Sequence, residues 1–246
     1  MKRFRVIVLL LALLQLQLSA QEKTDSIKRA PLINKTVVKR SILPLSLITV
    51  GTLISGSHLE KQIKKELRDG DGVIDYSIPV DDLIQYIPIA EIYIADALGV
   101  KSKNHWFDQT KYMLISNAIT AALTHGTKFL INKRRPNGSP YSFPSGHSSF
   151  SFTNATVLYE EFHDSSPVFA YSGYFLTSLV GSLRVINNKH WLSDVLAGAG
   201  LGILVTRMVY YFEPLKNWNP CKKMKNISLI PEIDSSGGGL TMVYRF

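Results

Sequence analysis

Apolar residues along this chain come in long blocks separated by short polar stretches, and the block lengths suit helices better than strands. A first block runs from Val6 to Leu14 and continues through Leu16 and Leu18 to Ser19-Ala20. A second, Ser41 to Leu59, holds no Lys, Arg, Asp or Glu over nineteen residues. Pro44, Gly51, Gly56 and several hydroxyls dilute it, so it fits a membrane helix and a buried core helix equally well. Residues 81–99 open on Asp81-Asp82 and close on Gly99, which are start and stop signals around a kink expected at Pro88. Lys111 to Asn132 predicts a long apolar helix. Pro144-Ser145-Gly146 precedes a helix expected over 147–161, Pro167 starts another that runs to about Leu183, and Trp191 to Tyr211 forms the last. The small residues at 197–202 (AGAGLG) suit close helix packing, since no strand precedes them to make a phosphate loop.

The polar stretches divide the chain. Gln21 to Arg40 is basic and reads as a linker, and Glu60 to Tyr76, with Asp69-Gly70-Asp71-Gly72, as a charged helix end followed by turns. Past residue 215 the period changes. Ile227 to Ile233 and Leu240 to Phe246 are short β-like runs around Asp234-Ser235-Ser236-Gly237-Gly238-Gly239, which predicts a terminal hairpin. The expected fold is all-α, a helical bundle plus a short C-terminal β-hairpin. The expected segments are 1–20, a signal peptide or uncleaved anchor; 21–80, a linker and N-terminal helical segment; 81–215, a helical core; and 216–246, a basic segment and β-like tail.

Composition narrows the class. The 246 residues are 46% hydrophobic and only 19% charged, which excludes a disordered chain. A net charge of +9 points to anionic partners: nucleic acid, phosphate esters or an anionic membrane face. Lys2, Arg3 and Arg5 ahead of the first apolar block form a secretory signal pattern, with cleavage after Ala20 or retention as an anchor, so the protein is expected to be exported. The single Cys221 excludes an internal disulfide and any cysteine-based metal site.

Chemistry gathers in three clusters: Lys128 with Arg135-Pro136, then Pro144-Ser145-Gly146-His147, then Arg184 with His190 and Asp194. Three cations and a Ser-Gly turn at a helix start are what a phosphate dianion needs. Lys128, Arg135 and Arg184 can clamp its oxygens, while the helix beginning near His147 aims the N–H groups of Ser145 and Gly146 at the same anion. His190 and Asp194 lie one helical turn apart, so the carboxylate can accept from one imidazole nitrogen and leave the other free as a nucleophile. No two histidines have metal-ligand spacing, and no cofactor or metal is expected.

Lys-x6-Arg-Pro, Pro-Ser-Gly-His and Arg-x5-His-x3-Asp together resemble the signature of the type 2 phosphatidic acid phosphatase superfamily, which includes bacterial acid phosphatases and vanadium haloperoxidases. The resemblance implies a helical core over about 80–212, a covalent phosphohistidine on His190, and His147 as the acid that protonates the leaving alcohol and then the base toward water. The pattern departs at Leu183, where the family usually has Ser, with Ser182 one place earlier. Consecutive antiparallel helices would bring all three motifs to one end of the bundle, with His125 on the same side as Lys128. His58, His105 and His163 read as structural.

The function expected is therefore a phosphomonoesterase acting on a lipid phosphate of the phosphatidate, polyprenyl (di)phosphate or lipid A type. The alternatives are a soluble periplasmic acid phosphatase and a vanadate-dependent haloperoxidase. Nucleic acid is not an expected partner, because the excess charge divides between the export signal and the phosphate motifs. The 147–161 helix would reach only ~22 Å, short of the ~30 Å hydrocarbon layer. Lys101, Lys103, Lys111, Arg207, Lys216, Lys222, Lys223 and Lys225 flank the helix ends opposite the motifs, which under the positive-inside rule turns the site to the periplasm. The sequence leaves the oligomeric state open.

Overall fold

The computed structural model of the protein describes residues 35–68, 80–223, 227–234 and 237–244. The expected signal at 1–20 and the Asp69–Gly72 turn lie outside the described residues. Among the described residues eight helices run in order: α1 (Lys35–Ile54), α2 (His58–Arg68), α3 (Asp81–Ile84), α4 (Ile87–Ala97), α5 (Trp106–Ile131), α6 (Gly146–Phe162), α7 (Pro167–Ile186) and α8 (Leu192–Phe212). Beyond a 3-10 turn at Pro220–Lys223, the backbones of β1 (Ile227–Asp234) and β2 (Gly237–Tyr244) lie antiparallel, with Ile227 opposite Tyr244.

Helix α8 is the centre of the bundle and packs against α1, α5 and α6. The small residues at 197–202 make this possible. A Cβ added at Gly202 would lie 2.5 Å from the Ser149 carbonyl oxygen of α6, and one at Gly200 would lie 2.5 Å from the Pro44 oxygen of α1. Two neighbours therefore approach α8 backbone to backbone on different sides. Where α6 and α8 end and α5 begins, the core is apolar, with Val157, Leu158, Phe162, Val205, Val209 and Tyr112 all buried. Toward the other end α6 buries hydroxyls and an amide, and Thr153 and Asn154 bond across to Thr120 and Asn117 of α5. That polar core is where the motifs lie.

The elements differ from the sequence expectation at identifiable places. Helix α1 begins at Lys35, so residues 35–40 of the expected linker are helical. Pro88 does not kink one helix: the chain breaks at Gln85-Tyr86, and Pro88 sits in the first turn of α4, where a missing N–H costs nothing. Helix α5 starts at Trp106 because the His105 ring accepts the Phe107 N–H as an N-cap. Lys111 is no flanking surface charge; it is buried against Asp108 at 2.6 Å and also donates to the Leu215 and Trp218 oxygens. As the expected 147–161 helix requires, Glu160 and Glu161 lie inside α6, and Glu161 holds the 103–104 loop and the Tyr210 hydroxyl.

Val37–Ile54 and Leu192–Phe212 are long and apolar enough to cross a membrane by length and composition. Most of the second is buried inside the bundle, whereas the first leaves Ile42, Leu43, Val50 and Leu53 exposed.

Candidate active site

Lys128 in the last turn of α5, Arg135 in the following loop, Gly146 and His147 at the start of α6, Arg184 in the last turn of α7, and His190 just before α8 line one cavity of about 690 Å³. The chain alternates direction through α5, α6, α7 and α8, so every motif falls at the same end. Thr120, Thr124 and His125 of α5 and the short α3 complete the wall.

His190 is 2% exposed, with Nδ1 3.4 Å from Asp194 Oδ2. Asp194 has no exposed surface and is held by more than the imidazole. Its Oδ2 also accepts the Ser142 hydroxyl and, at 2.9 Å, the Trp191 N–H, a carboxylate in the first turn of α8 reaching back to the residue that caps it. Its Oδ1 accepts Lys133 Nζ at 3.0 Å. Lys133 in turn reaches Glu60 of α2 at 2.8 Å and Ser193 at 2.7 Å. With Nδ1 turned to Asp194, Nε2 is left to the cavity. Burial, reinforced by Lys128 and Arg135 and opposed by Asp194, pushes His190 down to about 4, so the ring is neutral at ordinary pH.

A second histidine–carboxylate pair stands on another wall. His147 Nε2 lies 2.7 Å from Asp82 Oδ1, and Arg184 Nη1 donates to Asp81 Oδ2 at 2.8 Å and to Asp82 Oδ1 at 3.3 Å. Burial and the Arg184 charge lower the His147 pKa, and Asp82 works against them. Asp82 is half exposed; Asp81 is wholly buried.

The cations present unfilled donors. The Nε–H groups of Arg135 and Arg184 are buried and have no hydrogen-bond partner among the described residues. Lys128 Nζ is anchored by the Tyr141 oxygen at 2.8 Å and the Ser142 oxygen at 3.4 Å, and an ammonium has a third proton to give. Burial and Arg135 lower the Lys128 pKa to about 8.

The Ser145 N–H expected to face an anion instead donates to the Asp194 carbonyl oxygen at 2.9 Å, and its hydroxyl caps α6 by accepting from Ser148. Gly146 and His147, both on the cavity wall, head the helix in its place. Ser182 points away: its hydroxyl donates to the Ser178 oxygen, and it lines a different crevice. Sequence reasoning missed Asp81, Asp82, Lys133, Glu60 and Ser142. The Asp81-Asp82 doublet carried a signal, which helix-start chemistry absorbed; Glu60 carried none. Among the described residues, no group of three or more His, Cys, Asp or Glu side chains is arranged to hold a metal ion.

Residues 109–218 match the family model described as the PAP2 superfamily. The chain is 31% identical over 170 residues to a lipid A 1-phosphatase of Porphyromonas gingivalis, a match covering 66% of this chain and 38% of that protein. It is 33% identical over 82 residues to a PA-phosphatase related-family protein of Dictyostelium discoideum, covering 28% and 30%. The chain thus spans well under half the length of these curated relatives. Its fold is similar to that of the transmembrane PAP2-type phosphatidylglycerolphosphate phosphatase of Bacillus subtilis, with a TM-score of 0.52, 19% identity, and coverage of 72% of this chain and 98% of that one.

Proposed function

From the premise that residues 109–218 are a PAP2 superfamily domain, we propose that the protein is a metal-independent phosphatase that hydrolyses a lipid phosphate monoester. The observation that carries this reading is the pair of buried, unpartnered Nε–H groups on Arg135 and Arg184, which line the same cavity as His190. Two guanidinium groups and Lys128 neutralise the phosphate and the charge that builds on its equatorial oxygens, the part a metal plays in other phosphoryl-transfer sites. Gly146 and His147 add helix-terminal N–H groups.

In this mechanism His190 Nε2 attacks phosphorus in line with the ester oxygen. The P–O bond breaks as His147 gives its proton to the leaving alkoxide, leaving a phosphohistidine and an alcohol. Water, deprotonated by His147, then attacks phosphorus; the P–N bond breaks, and inorganic phosphate and the starting imidazole are restored. Asp194 stabilises the positive ring that forms on His190. Asp82, which holds His147 and Arg184 together, gives way to the substrate phosphate.

A lipid substrate in a membrane is supported by the apolar side chains on the outside of the bundle: Ile42 and Leu53 of α1, Phe129 and Leu130 of α5, and Val168 and Phe175 of α7 are all exposed. The lipid A 1-phosphatase relative supports the same substrate class, with phosphatidate and polyprenyl (di)phosphate as its other members. We assign catalysis to 81–215, export to 1–20, and to 216–246 a basic segment and β-like tail, with the site facing the periplasm. The test is phosphate release in detergent from matched lipid and water-soluble phosphates. Preference for lipid phosphate with chelator present is expected. Equal rates on sugar phosphates by protein washed free of membranes would replace this reading with a soluble acid phosphatase.

A further inference from the structure

At the far end of the bundle from His190, four cations and an apolar crevice meet. Lys35, Lys39 and Arg40 of α1 and Arg207 of α8 line a cavity of about 580 Å³. Arg207 lies fifteen residues beyond Leu192, about 22 Å along the helix from the catalytic end. These charges are poorly compensated. Among the described residues Lys35 and Lys39 form no ion pair, and Glu160 offsets Arg40 alone, at 3.2 Å. Arg207 Nη1 donates to the Arg40 oxygen, and its Nε is buried with no partner among the described residues. The group also sits at the N-terminus of α1, whose first turn has no acid; cations there oppose the helix dipole, and an anion would relieve both effects.

Arg207 also closes a second cavity, of about 550 Å³, running between α1, α6, α7 and α8. Its walls are apolar and aromatic, with Leu43 and Leu47 on one side, Phe152, Tyr159 and Tyr174 on another, and Ile203 beneath. We propose that these two cavities, which share Arg207, together hold one anionic phospholipid. Its headgroup phosphate is bound by Lys35, Lys39, Arg40 and Arg207, and one acyl chain lies in the crevice. The lipid is bound from the leaflet opposite the catalytic cavity, as a ligand and not as a substrate. This inference rests on the membrane reading above and is independent of the phosphatase chemistry.

The test uses the full-length protein in detergent, with thermal unfolding read as dioleoyl phosphatidylglycerol, dioleoyl phosphatidylcholine or glycerol phosphate is added. Phosphatidylglycerol should raise Tm by about 5 °C, and the other two should not. Lys35→Glu with Lys39→Glu, both exposed, should weaken the phosphatidylglycerol response about tenfold while leaving p-nitrophenyl phosphate turnover unchanged. Ser178→Trp, which fills the crevice, should weaken it as well. Arg184→Ala should keep it. Equal shifts from both lipids, or a full shift from glycerol phosphate, would overturn the proposal. So would a response lost in Arg184→Ala yet kept in the lysine variant, which would move the lipid to the catalytic cavity.

Discussion

Two histidine–carboxylate pairs share the catalytic cavity, and their geometry ranks them in the opposite order to their permanence. His147 and Asp82 are closer, at 2.7 Å, but their side chains are 29% and 50% exposed, and among the described residues the Asp82 carboxylate is held by His147 and Arg184 alone. His190 and Asp194 are 3.4 Å apart and almost fully buried, and Asp194 has four further donors in Ser142, Trp191, Lys133 and Ser193. The contact that endures is the one whose acid is shut away from water and fixed in place by its other donors, which outweighs 0.7 Å of extra length. Asp194 is built in; in the proposed mechanism Asp82 holds the place of the substrate anion.

The largest effect that would break this contrast is at His190. His190→Ala should lower kcat by about 10⁴-fold or more, since among the described residues no other imidazole on the cavity wall is backed by a buried carboxylate, and radiolabelled phosphate should no longer be trapped on the protein. Labelling that survives would remove His190 from its role. His147→Ala should cost about 10²- to 10⁴-fold on alkyl phosphates and clearly less on p-nitrophenyl phosphate, whose leaving group needs little protonation. Equal losses on both would sink the general-acid assignment.

Smaller effects sharpen the contrast. Lys133→Ala should lower activity about tenfold and move the acid limb of kcat/KM upward, because losing a cation beside Asp194 favours protonated His190. Lys133→Arg should restore the limb; a loss of activity with the limb unmoved would reduce Lys133 to scaffolding. In the unaltered protein that limb should fall at about pH 4, where His190, lowered by burial, takes up its proton, so a limb at pH 6 to 7 would contradict the buried nucleophile. Least of all, Asp82→Asn should change kcat/KM by less than about tenfold and lower KM, since the substrate phosphate no longer competes with a carboxylate for Arg184.

The sequence made the bundle and the rim of the cavity legible for different reasons. Lys128, Arg135, Gly146, His147, Arg184 and His190 could be read because each belongs to a local motif and the antiparallel helices bring those motifs together. Lys133, Glu60 and Ser142 could not, since their meaning comes from contact across 133 residues in the Ser193–Glu60 case. Asp81 and Asp82 look like ordinary first-turn acids, and only the proximity of α3 to α7 gives them Arg184. The Ser145 N–H was misread because spacing places a residue at a helix start but does not say that a neighbouring carbonyl, that of Asp194, already holds its proton. Pro88 was misread for a related reason: one proline is compatible with a kink or a new helix, and the break at Gln85-Tyr86 decides between them.

The hydrogen bond from Ser145 to the Asp194 carbonyl, together with the backbone contact at Gly202, makes the starts of α6 and α8 a single piece. Both histidines ride on that piece, so their separation is inherited as a unit, and no change in one helix can retune it without a matching change in the other. The acids of α3 belong to a different part, joined to the first through side chains alone. A lineage adapting to a new headgroup would therefore find its freedom in α3 and the α4 it leads into, and almost none between the histidines. Sequence divergence among descendants of this protein should follow that seam.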